Sequence, residues 1–281
     1  MEPGKRVDSA ENSNNVWNLF SLQGKVALVT GGASGLGYDM ALALAEAWAD
    51  VVITSRFFEK AKESADTIHR ETGQRALPLK LDVTQEREVE QAIDKILLEF
   101  RRLDILVNNA GNVKASTPDS ARLENRKLAD WQDVIDVNLT GTFLCVKHAV
   151  AKYMMKAKAG RIINLGSVAG MVGKDRRVYE GTQMGGITMD YSAAKGGVIN
   201  FTRDLAAYLA PYDILANCIS PGGFWRRQDP EFVKAYNKTA MLDRMGQEGK
   251  DLKGAVVFLA SEASSYITGH NLVVDGGHTA W

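Results

Sequence analysis

The 281-residue sequence predicts one doubly wound α/β domain, in which helices cover both faces of a mainly parallel, seven-stranded sheet. The first observation is a series of short apolar runs that do not alternate strictly, as is typical of strands buried on both faces. The second is that segments with helical periodicity separate these runs, without a linker or an internal repeat. The predicted strands cover residues 26–30, 51–55, 77–83, 103–110, 161–167, 214–220 and 271–277.

Helical periodicity is clearest over residues 36–48, 85–100, 131–155 and 192–210. Three irregular segments, 112–130, 170–190 and 222–250, follow directly after strands or their first turns. Because ligands of open α/β sheets bind outside the carboxyl ends of the strands, we expect these segments to form substrate loops at that edge. The domain is predicted to span residues 21–281, preceded by a flexible arm at 1–20.

The composition limits which partners and which cellular location are expected for the protein. Lys plus Arg equals Asp plus Glu at 34 each, so no global field attracts nucleic acid or an anionic membrane, and neither is expected as a partner. The N-terminus does not resemble a secretory signal, and no run of ~18 apolar residues predicts a membrane span, so we expect a cytoplasmic protein. Cys145 and Cys218 lie in apolar runs and are predicted to be buried thiols.

A glycine-rich turn connects the first strand to the first long helix, with Gly31, Gly35 and Gly37 in the spacing G-x-x-x-G-x-G. Glycine lets a ligand approach the backbone closely, and a helix N-terminus offers free N–H groups to a pyrophosphate. The turn therefore predicts a dinucleotide site. The alternative is a glycine-rich turn without a ligand.

Tyr191 and Lys195 in the stretch DYSAAKGGV project from one helix face, because residues four apart are neighbours. A phenol with a pKa of about 10 is a poor base at neutral pH, and a nearby ammonium favours its ionised form. The pair would suit a proton transfer to or from a substrate. As an isolated pattern it is weak, and it needs support from other motifs.

That support comes from motifs that stand in one order along the chain: T-G-x-x-x-G-x-G at 30–37, N-N-A-G at 108–111, Asn138, Ser167 in INLGS, Tyr191-x-x-x-Lys195, and ISPGG at 219–223. In these motifs residues 20–281 resemble the short-chain dehydrogenase/reductase family. The stretch NLFSLQGKVALVTGG is most similar to the gluconate 5-dehydrogenase-like branch of that family.

The resemblance implies a Rossmann-type fold, a small-molecule substrate and a homotetramer or homodimer. By resemblance, Tyr191 donates or accepts the proton, Lys195 also binds the nicotinamide ribose, Ser167 holds the substrate oxygen, and Asn138 shapes a water-linked proton path. The residues carried over as contacts of the dinucleotide are Gly31, Ser34, Gly35, Leu36, Gly37, Asp82, Val83, Asn109, Ala110, Gly111, Tyr191, Lys195, Pro221, Gly222, Gly223 and Phe224.

Ser55 and Arg56 at the end of the second strand favour NADP(H) over NAD(H). NAD-using members of the family usually carry Asp at the position of Ser55, where a carboxylate would repel a 2′-phosphate, whereas a serine and an arginine would bind it. Ser34 is not the basic residue that some NADP-using relatives have. The alternative is that Arg56 stacks on the adenine or faces solvent.

The segment between Ser167 and Tyr191 is longer than in the family, which makes its basic residues candidates for binding the substrate. Arg176, Arg177, Trp225 and Arg226 are the substrate candidates, and solvated surface pairs are the alternative for the arginines. The aromatic residues of 222–240 predict a lid over the substrate or, alternatively, a subunit interface. The four histidines lack metal-ligand spacing, so no metal is expected.

The function predicted from the sequence is the NADP(H)-dependent interconversion of a secondary alcohol and a ketone, on a small polar substrate such as a sugar acid or polyol. One alternative keeps the chemistry but uses NAD(H), or an apolar ketone, steroid or 3-oxoacyl substrate. A second alternative, from another class, is a nucleotide-binding sensor without catalysis; the intact set Asn138, Ser167, Tyr191 and Lys195 argues against it.

Overall fold

The computed structural model describes residues 15–113 and 117–281. A seven-stranded sheet forms the centre, in the order β3-β2-β1-β4-β5-β6-β7, and every neighbouring pair is parallel. The predicted doubly wound α/β fold is therefore confirmed. The strands are β1 Val26–Val29, β2 Asp50–Ser55, β3 Ala76–Lys80, β4 Ile105–Asn108, β5 Gly160–Leu165, β6 Ile214–Pro221 and β7 Asn271–Val274.

Helices connect the strands and cover both faces of the sheet. They are α1 Val16–Leu19, α2 Gly35–Glu46, α3 Phe58–Thr72, α4 Glu86–Phe100, α5 Leu128–Ala157, α6 Met189–Leu209, α7 Pro230–Asn237 and α8 Lys253–Ala260. Two short 3₁₀ helices, Val168–Gly170 and Arg176–Tyr179, lie between β5 and α6.

The apolar core consists of two layers, one on each face of the sheet. Successive residues of a strand point to opposite faces, so Ala27 and Val29 of β1 join the layer under α2 and α8, whereas Val26 and Leu28 join the layer under α4, α5 and α6. Burial on both faces explains why the strands read as continuous apolar runs in the sequence.

The order of the strands brings the sequence motifs together. The chain runs outward from β1 to β3 and then returns to β4 on the other side of β1, which creates a crevice at the carboxyl ends of β1 and β4. The glycine turn after β1, the Asn-Asn-Ala-Gly motif at the end of β4, Ser167 after β5 and Gly222 after β6 all lie at this edge. The site is therefore assembled by topology.

The N-terminal segment differs in part from the prediction of a flexible arm at 1–20. Residues 1–14 lie outside the described residues, but Val16–Leu19 form a short helix whose first turn is capped by Asn15. The ring of Phe20 lies 6.4 Å from that of Phe258 in α8, so the last residues of the arm are attached to the domain.

Helix α5 is long and apolar enough to cross a membrane by composition alone. Half of its most apolar window is buried inside the domain, and it packs against α4 and α6 as a core helix does. The two cysteines, Cys145 in α5 and Cys218 in β6, are buried free thiols, as predicted.

Candidate active site

The glycine turn between β1 and α2 requires its glycines for steric reasons. A Cβ on Gly37 would lie 2.3 Å from Asn109 Nδ2 and 2.4 Å from the carbonyl oxygen of Gly31, so only glycine fits. Gly31 and Gly35 have φ of +62° and +53°, in the left-handed region that favours glycine. The Asn109 amide donates to the carbonyl oxygens of Thr30 and Gly31 at 2.9 and 3.2 Å and holds the turn against the end of β4.

Beside this turn lies a cleft of ≈ 950 Å³ that most of the predicted site residues line. At the first turn of α2, Ser34 makes no side-chain capping bond to any described residue, so backbone N–H groups remain for an anion. The predicted catalytic and cofactor residues that line the cleft are Gly31, Ser34, Gly35, Leu36, Gly37, Asn109, Ala110, Gly111, Asn138, Ser167, Tyr191, Lys195, Pro221 and Gly222. The shape of the cleft and the backbone N–H donors at the start of α2 both fit a dinucleotide.

The four predicted catalytic residues come from three parts of the fold, namely α5, the turn after β5 and α6, and meet in this cleft. Tyr191 and Lys195 lie in the first two turns of α6, and the Lys195 ammonium is 5.7 Å from the centre of the Tyr191 ring. Lys195 Nζ donates a hydrogen bond of 2.6 Å to the Leu165 carbonyl at the end of β5, which fixes its position. Ser167 has an extended backbone, and its hydroxyl accepts from Ala169 N at 3.1 Å.

Asn138 is fully buried in α5, within a π-helical segment at Asp136–Thr140. Its amide nitrogen donates to the carbonyl oxygens of Asn112 and Val134, both at 2.9 Å. Its Oδ1 has no hydrogen-bond partner among the described residues, and a Cβ on Gly111 would lie 2.7 Å from it. A buried acceptor at the cleft is suited to bind an ordered water, as the proposed proton path requires.

Burial is the largest cause of the pKa shifts of Tyr191 and Lys195. Burial raises the pKa of Tyr191, while a hydrogen bond with Ser167 and the positive charge of Arg226 oppose the rise. Burial also lowers the pKa of Lys195 to about 8. Lys195 is not among these opposing contributions, so the lowering of the pKa of Tyr191 by Lys195 together with an oxidised nicotinamide stays a prediction.

A second cavity, of ≈ 220 Å³, continues the cleft beyond Gly31 and is lined by the predicted residues Ser34, Ser55, Arg56, Asp82 and Val83. Lys60 in the first turn of α3 also lines it, with its ammonium 5.3 Å from the Phe57 ring centre. The sequence reasoning missed Lys60, although its place four residues after Arg56 is a usable signal. In the described part of the chain no carboxylate lies within ion-pair distance of Arg56 or Lys60.

A third cavity, of ≈ 600 Å³, adjoins the catalytic residues on the other side and is shared by Ser167 and Tyr191. Its walls come mainly from the two long segments 170–190 and 222–250, as the prediction of substrate loops requires. Of the charged side chains in the described chain, only Lys174 and Arg226 line this cavity. Sequence reasoning overlooked Lys174 because it stands in the run KDRR, where nothing distinguishes it from its neighbours.

Two of the predicted substrate residues, Arg176 and Arg177, do not line the third cavity. Arg177 is 81% exposed and forms an ion pair of 2.7 Å with Asp175, whose side chain also accepts from Arg177 N. Arg176 is exposed on another surface depression, next to Glu180 and Arg122. The structure therefore favours the alternative of solvated surface residues for these two arginines, and contact with the substrate remains an untested prediction.

Three residues after β6, Gly223, Phe224 and Trp225, take places that differ from their predicted ones, whereas Arg226 lines the third cavity as a substrate candidate should. Gly223 N donates to the Tyr236 hydroxyl at 2.5 Å, and Phe224 is buried against Gly246, so both line the third cavity and not the cofactor cleft. Trp225 is 53% exposed and lines the cofactor cleft. Arg226 lines both spaces and pairs with Glu248 at 2.5 Å.

The aromatic residues of the predicted lid are packed within the chain. The Phe232 ring stacks on Tyr179 at 5.1 Å and lies 5.7 Å from the Tyr236 ring, and both rings of α7 join a cluster with Val178 and Met245. Segments 170–190 and 222–250 therefore support each other, and the alternative of a subunit interface does not apply to Phe232 and Tyr236.

A buried ion pair positions the start of α6. Asp190, directly before Tyr191, is fully buried, and its carboxylate accepts hydrogen bonds from the guanidinium of Arg126, whose side chain is 8% exposed. The other Asp190 oxygen accepts from Tyr191 N at 2.9 Å. Through this pair the 112–130 segment holds the residue that precedes the catalytic tyrosine.

Comparison with known proteins agrees with this geometry. Residues 31–279 match the sequence model of a family described as enoyl-(acyl carrier protein) reductase. The chain belongs to the short-chain dehydrogenase/reductase family. It is an oxidoreductase that acts on secondary alcohols and ketones.

Two relatives and one solved structure illustrate the range of activities among proteins that are similar to this chain. A 3-oxoacyl-[acyl-carrier-protein] reductase of Synechocystis is 41% identical over 92% of this chain and 98% of that protein. A 5-keto-D-gluconate 5-reductase of Escherichia coli is 36% identical over 92% of this chain and 97% of that protein. The structure of a gluconate 5-dehydrogenase from Burkholderia cenocepacia, in complex with NADP and tartrate, has a TM-score of 0.84 and 34% identity, covering 95% and 100% of the two chains.

Proposed function

We propose that this protein uses NADP(H) to interconvert a keto acid and a hydroxy acid of the sugar-acid class, with Tyr191 as general acid and base. The observation that carries the substrate class is the charge of the third cavity. Among the described residues that line it, the charged side chains are two cations: Arg226, which pairs with Glu248, and Lys174, which has no acidic partner in the described chain. A small polar anion suits such a cavity better than an apolar ketone does.

The chain's own residues supply the proton chemistry of the proposed reaction. A bound nicotinamide supplies the hydride for reduction or accepts it for oxidation. In reduction, the Tyr191 hydroxyl gives its proton to the substrate oxygen while Ser167 donates a hydrogen bond to that oxygen. Because burial raises the pKa of Tyr191, the hydroxyl is protonated at neutral pH and ready to act as the acid.

Lys195 and Asn138 would return the proton to Tyr191. The Lys195 ammonium lies beside the Tyr191 ring and would stabilise the phenolate left after proton transfer. The Oδ1 of Asn138, which has no partner among the described residues, would hold a water behind Lys195. When the reaction runs toward the ketone, the same groups take up the proton of the alcohol in the reverse order.

The preference for NADP(H) is supported by the charges of the second cavity. Arg56 and Lys60 provide two cations, Ser55 is neutral, and the Asp82 carboxylate is engaged with the Thr84 N–H and hydroxyl at 3.0 and 2.7 Å. An extra phosphate on the adenosine ribose would meet donors there. The Burkholderia relative bound to NADP is in line with this proposal.

A second candidate function is the reduction of a 3-oxoacyl thioester, favoured by the identity of 41% to the Synechocystis reductase. The two functions differ in the charge and size of the group beside the reacting carbonyl. The 3-oxoacyl chain would place apolar carbon atoms next to the cations Lys174 and Arg226, which disfavours this substrate in our proposal.

Absorbance of the reduced nicotinamide tests the proposal directly. Purified protein is supplied with NADPH or NADH and, in parallel, with 5-keto-D-gluconate, an apolar cyclic ketone and an acetoacetyl thioester. We expect the highest kcat/KM for NADPH with the keto acid. Preference for the thioester would establish the second candidate, and turnover with NADH alone would overturn the cofactor proposal without affecting the catalytic one.

Two further expectations from the sequence belong to this proposal. We propose a cytoplasmic enzyme that assembles into a homodimer or homotetramer. Light scattering of the purified protein would report the number of copies, and fractionation of cells that produce it would report the location.

A further inference from the structure

We infer that Lys174 is the residue that binds the carboxylate of the substrate and thereby selects acids over neutral ketoses. This inference rests on the proposed function and names a residue for it that lies in the extended segment between Ser167 and Tyr191. Lys174 therefore lies in a segment that is longer in this protein than is usual in the family.

The surroundings of Lys174 leave its charge available. Its side chain is partly buried on the wall of the ≈ 600 Å³ cavity that also contains Ser167 and Tyr191. Within residues 15–113 and 117–281, no carboxylate or other acceptor lies within ion-pair or hydrogen-bond distance of its ammonium. The other cation of the cavity, Arg226, already pairs with Glu248 at 2.5 Å.

The ammonium of Lys174 is held in place by an aromatic ring. It lies 5.4 Å from the centre of the Tyr236 ring, and the Tyr236 hydroxyl is fixed by the N–H of Gly223. A cation over an aromatic face is oriented but not neutralised, so it still attracts an anion. Burial lowers the pKa of Lys174, which is the direction expected for a cation that lacks a negative partner.

The position of the charge also fits the reaction. The substrate carbonyl must contact Ser167 and Tyr191, and the cavity that adjoins them is lined by the segments that carry Lys174 and Tyr236. A small keto acid that spans this cavity would place its carbonyl at Tyr191 and its carboxylate at Lys174. A neutral ketose of the same shape would gain nothing from the lysine.

The test compares two substrates that differ only at the charged end. In L-sorbose a CH₂OH group replaces the carboxylate of 5-keto-D-gluconate. Lys174→Gln should raise KM for the keto acid about 10- to 100-fold, the range of a lost hydrogen bond to a charged group, and leave kcat and the kinetics with L-sorbose unchanged. Lys174→Arg should restore most of the affinity.

Arg177→Gln is the matched control, because it removes an exposed cation of the same segment that does not line the cavity. This variant should leave kcat and KM unchanged for both substrates. Equal losses for the two substrates in Lys174→Gln would overturn the inference in favour of a packing role, and unchanged kinetics would overturn it outright.

Binding of tartrate to the NADP-loaded protein, measured by calorimetry, separates this inference from the proposed function. If the wild type fails to reduce sugar acids, the proposed function fails. Tartrate binding that weakens about 10-fold or more in Lys174→Gln would still support Lys174 as a carboxylate site. Equal binding by the two proteins would contradict the inference whatever the turnover.

Discussion

The cofactor side and the substrate side of the site are built in different ways. On the cofactor side, short turns after β1 and β4 touch each other, and Gly37 leaves no room for even one added carbon beside Asn109. On the substrate side, two long segments meet through the rings of Tyr179, Phe232 and Tyr236. The first side follows from rules that hold for any chain with these motifs, whereas the second depends on how two particular segments pack.

The largest expected effect lies where the two sides meet, at Tyr191. Tyr191→Phe removes the proton donor and should lower kcat about a thousand-fold, within the range of general acid catalysis. Binding of NADPH, followed by fluorescence, should change little because the glycine turn is intact. Tyr208→Phe, at an exposed site on the same helix, is the control and should retain full activity. Unchanged kcat in Tyr191→Phe would favour the non-catalytic sensor.

The second effect concerns the buried ion pair that positions Tyr191. Asp190→Asn removes one partner of a pair in which Asp190 is fully buried, and it should lower the free energy of unfolding by about 3 kcal/mol or more. Urea denaturation gives this quantity. Asp175→Asn, which breaks the exposed pair with Arg177, should leave the midpoint nearly unchanged. Equal midpoints for the two variants would contradict the role assigned to Asp190.

A third effect tests the cofactor side alone. Arg56→Gln should raise KM for NADPH by about 10-fold, because a charge-assisted hydrogen bond to the 2′-phosphate is lost, and should leave KM for NADH unchanged. Lys62→Gln removes a cation of the neighbouring helix that pairs with Asp66, and it serves as the control. A similar rise of KM for the two nicotinamides would mean that Arg56 contacts the adenine instead of a phosphate.

The smallest effect is the dependence on pH. The pKa of Lys195 is lowered to about 8, so the ammonium loses its proton as pH rises through that value, and the phenolate of Tyr191 then loses its neighbouring cation. The rate of ketone reduction should fall above pH 8, by up to about tenfold per pH unit. A profile of kcat for reduction between pH 6 and 10 measures this, and a flat profile would exclude a requirement for charged Lys195.

The cofactor side was predictable from the sequence because each of its residues is fixed by its neighbours in a motif. Gly31, Gly35 and Gly37 stand at the end of a strand, and Tyr191 and Lys195 share one helix face, so position along the chain determines position in space. Lys60 could have been included by the same reasoning, because it lies four residues after Arg56, in the first turn of α3.

The substrate side was predictable only as a set of segments. Lys174, Arg176 and Arg177 have the same charge and lie within four residues, and the sequence alone does not rank them. Which of them lines the cavity depends on two contacts. Arg177 pairs with Asp175, the residue that caps the 3₁₀ helix. Lys174 lies over the ring of Tyr236, which is more than 60 residues away in sequence. Such contacts depend on tertiary packing and leave no local pattern.

The central claim is that the substrate side selects an acid while the cofactor side performs chemistry common to the family. The most direct test is a competition in one vessel, in which the wild-type protein with NADPH receives equal concentrations of 5-keto-D-gluconate and an apolar cyclic ketone of similar size. Chromatography of the two alcohols gives the ratio of the kcat/KM values. We expect the hydroxy acid to dominate by about 100-fold, within the range of a charge-assisted hydrogen bond from Lys174 to the carboxylate. A mixture in which the apolar alcohol dominates would contradict the account.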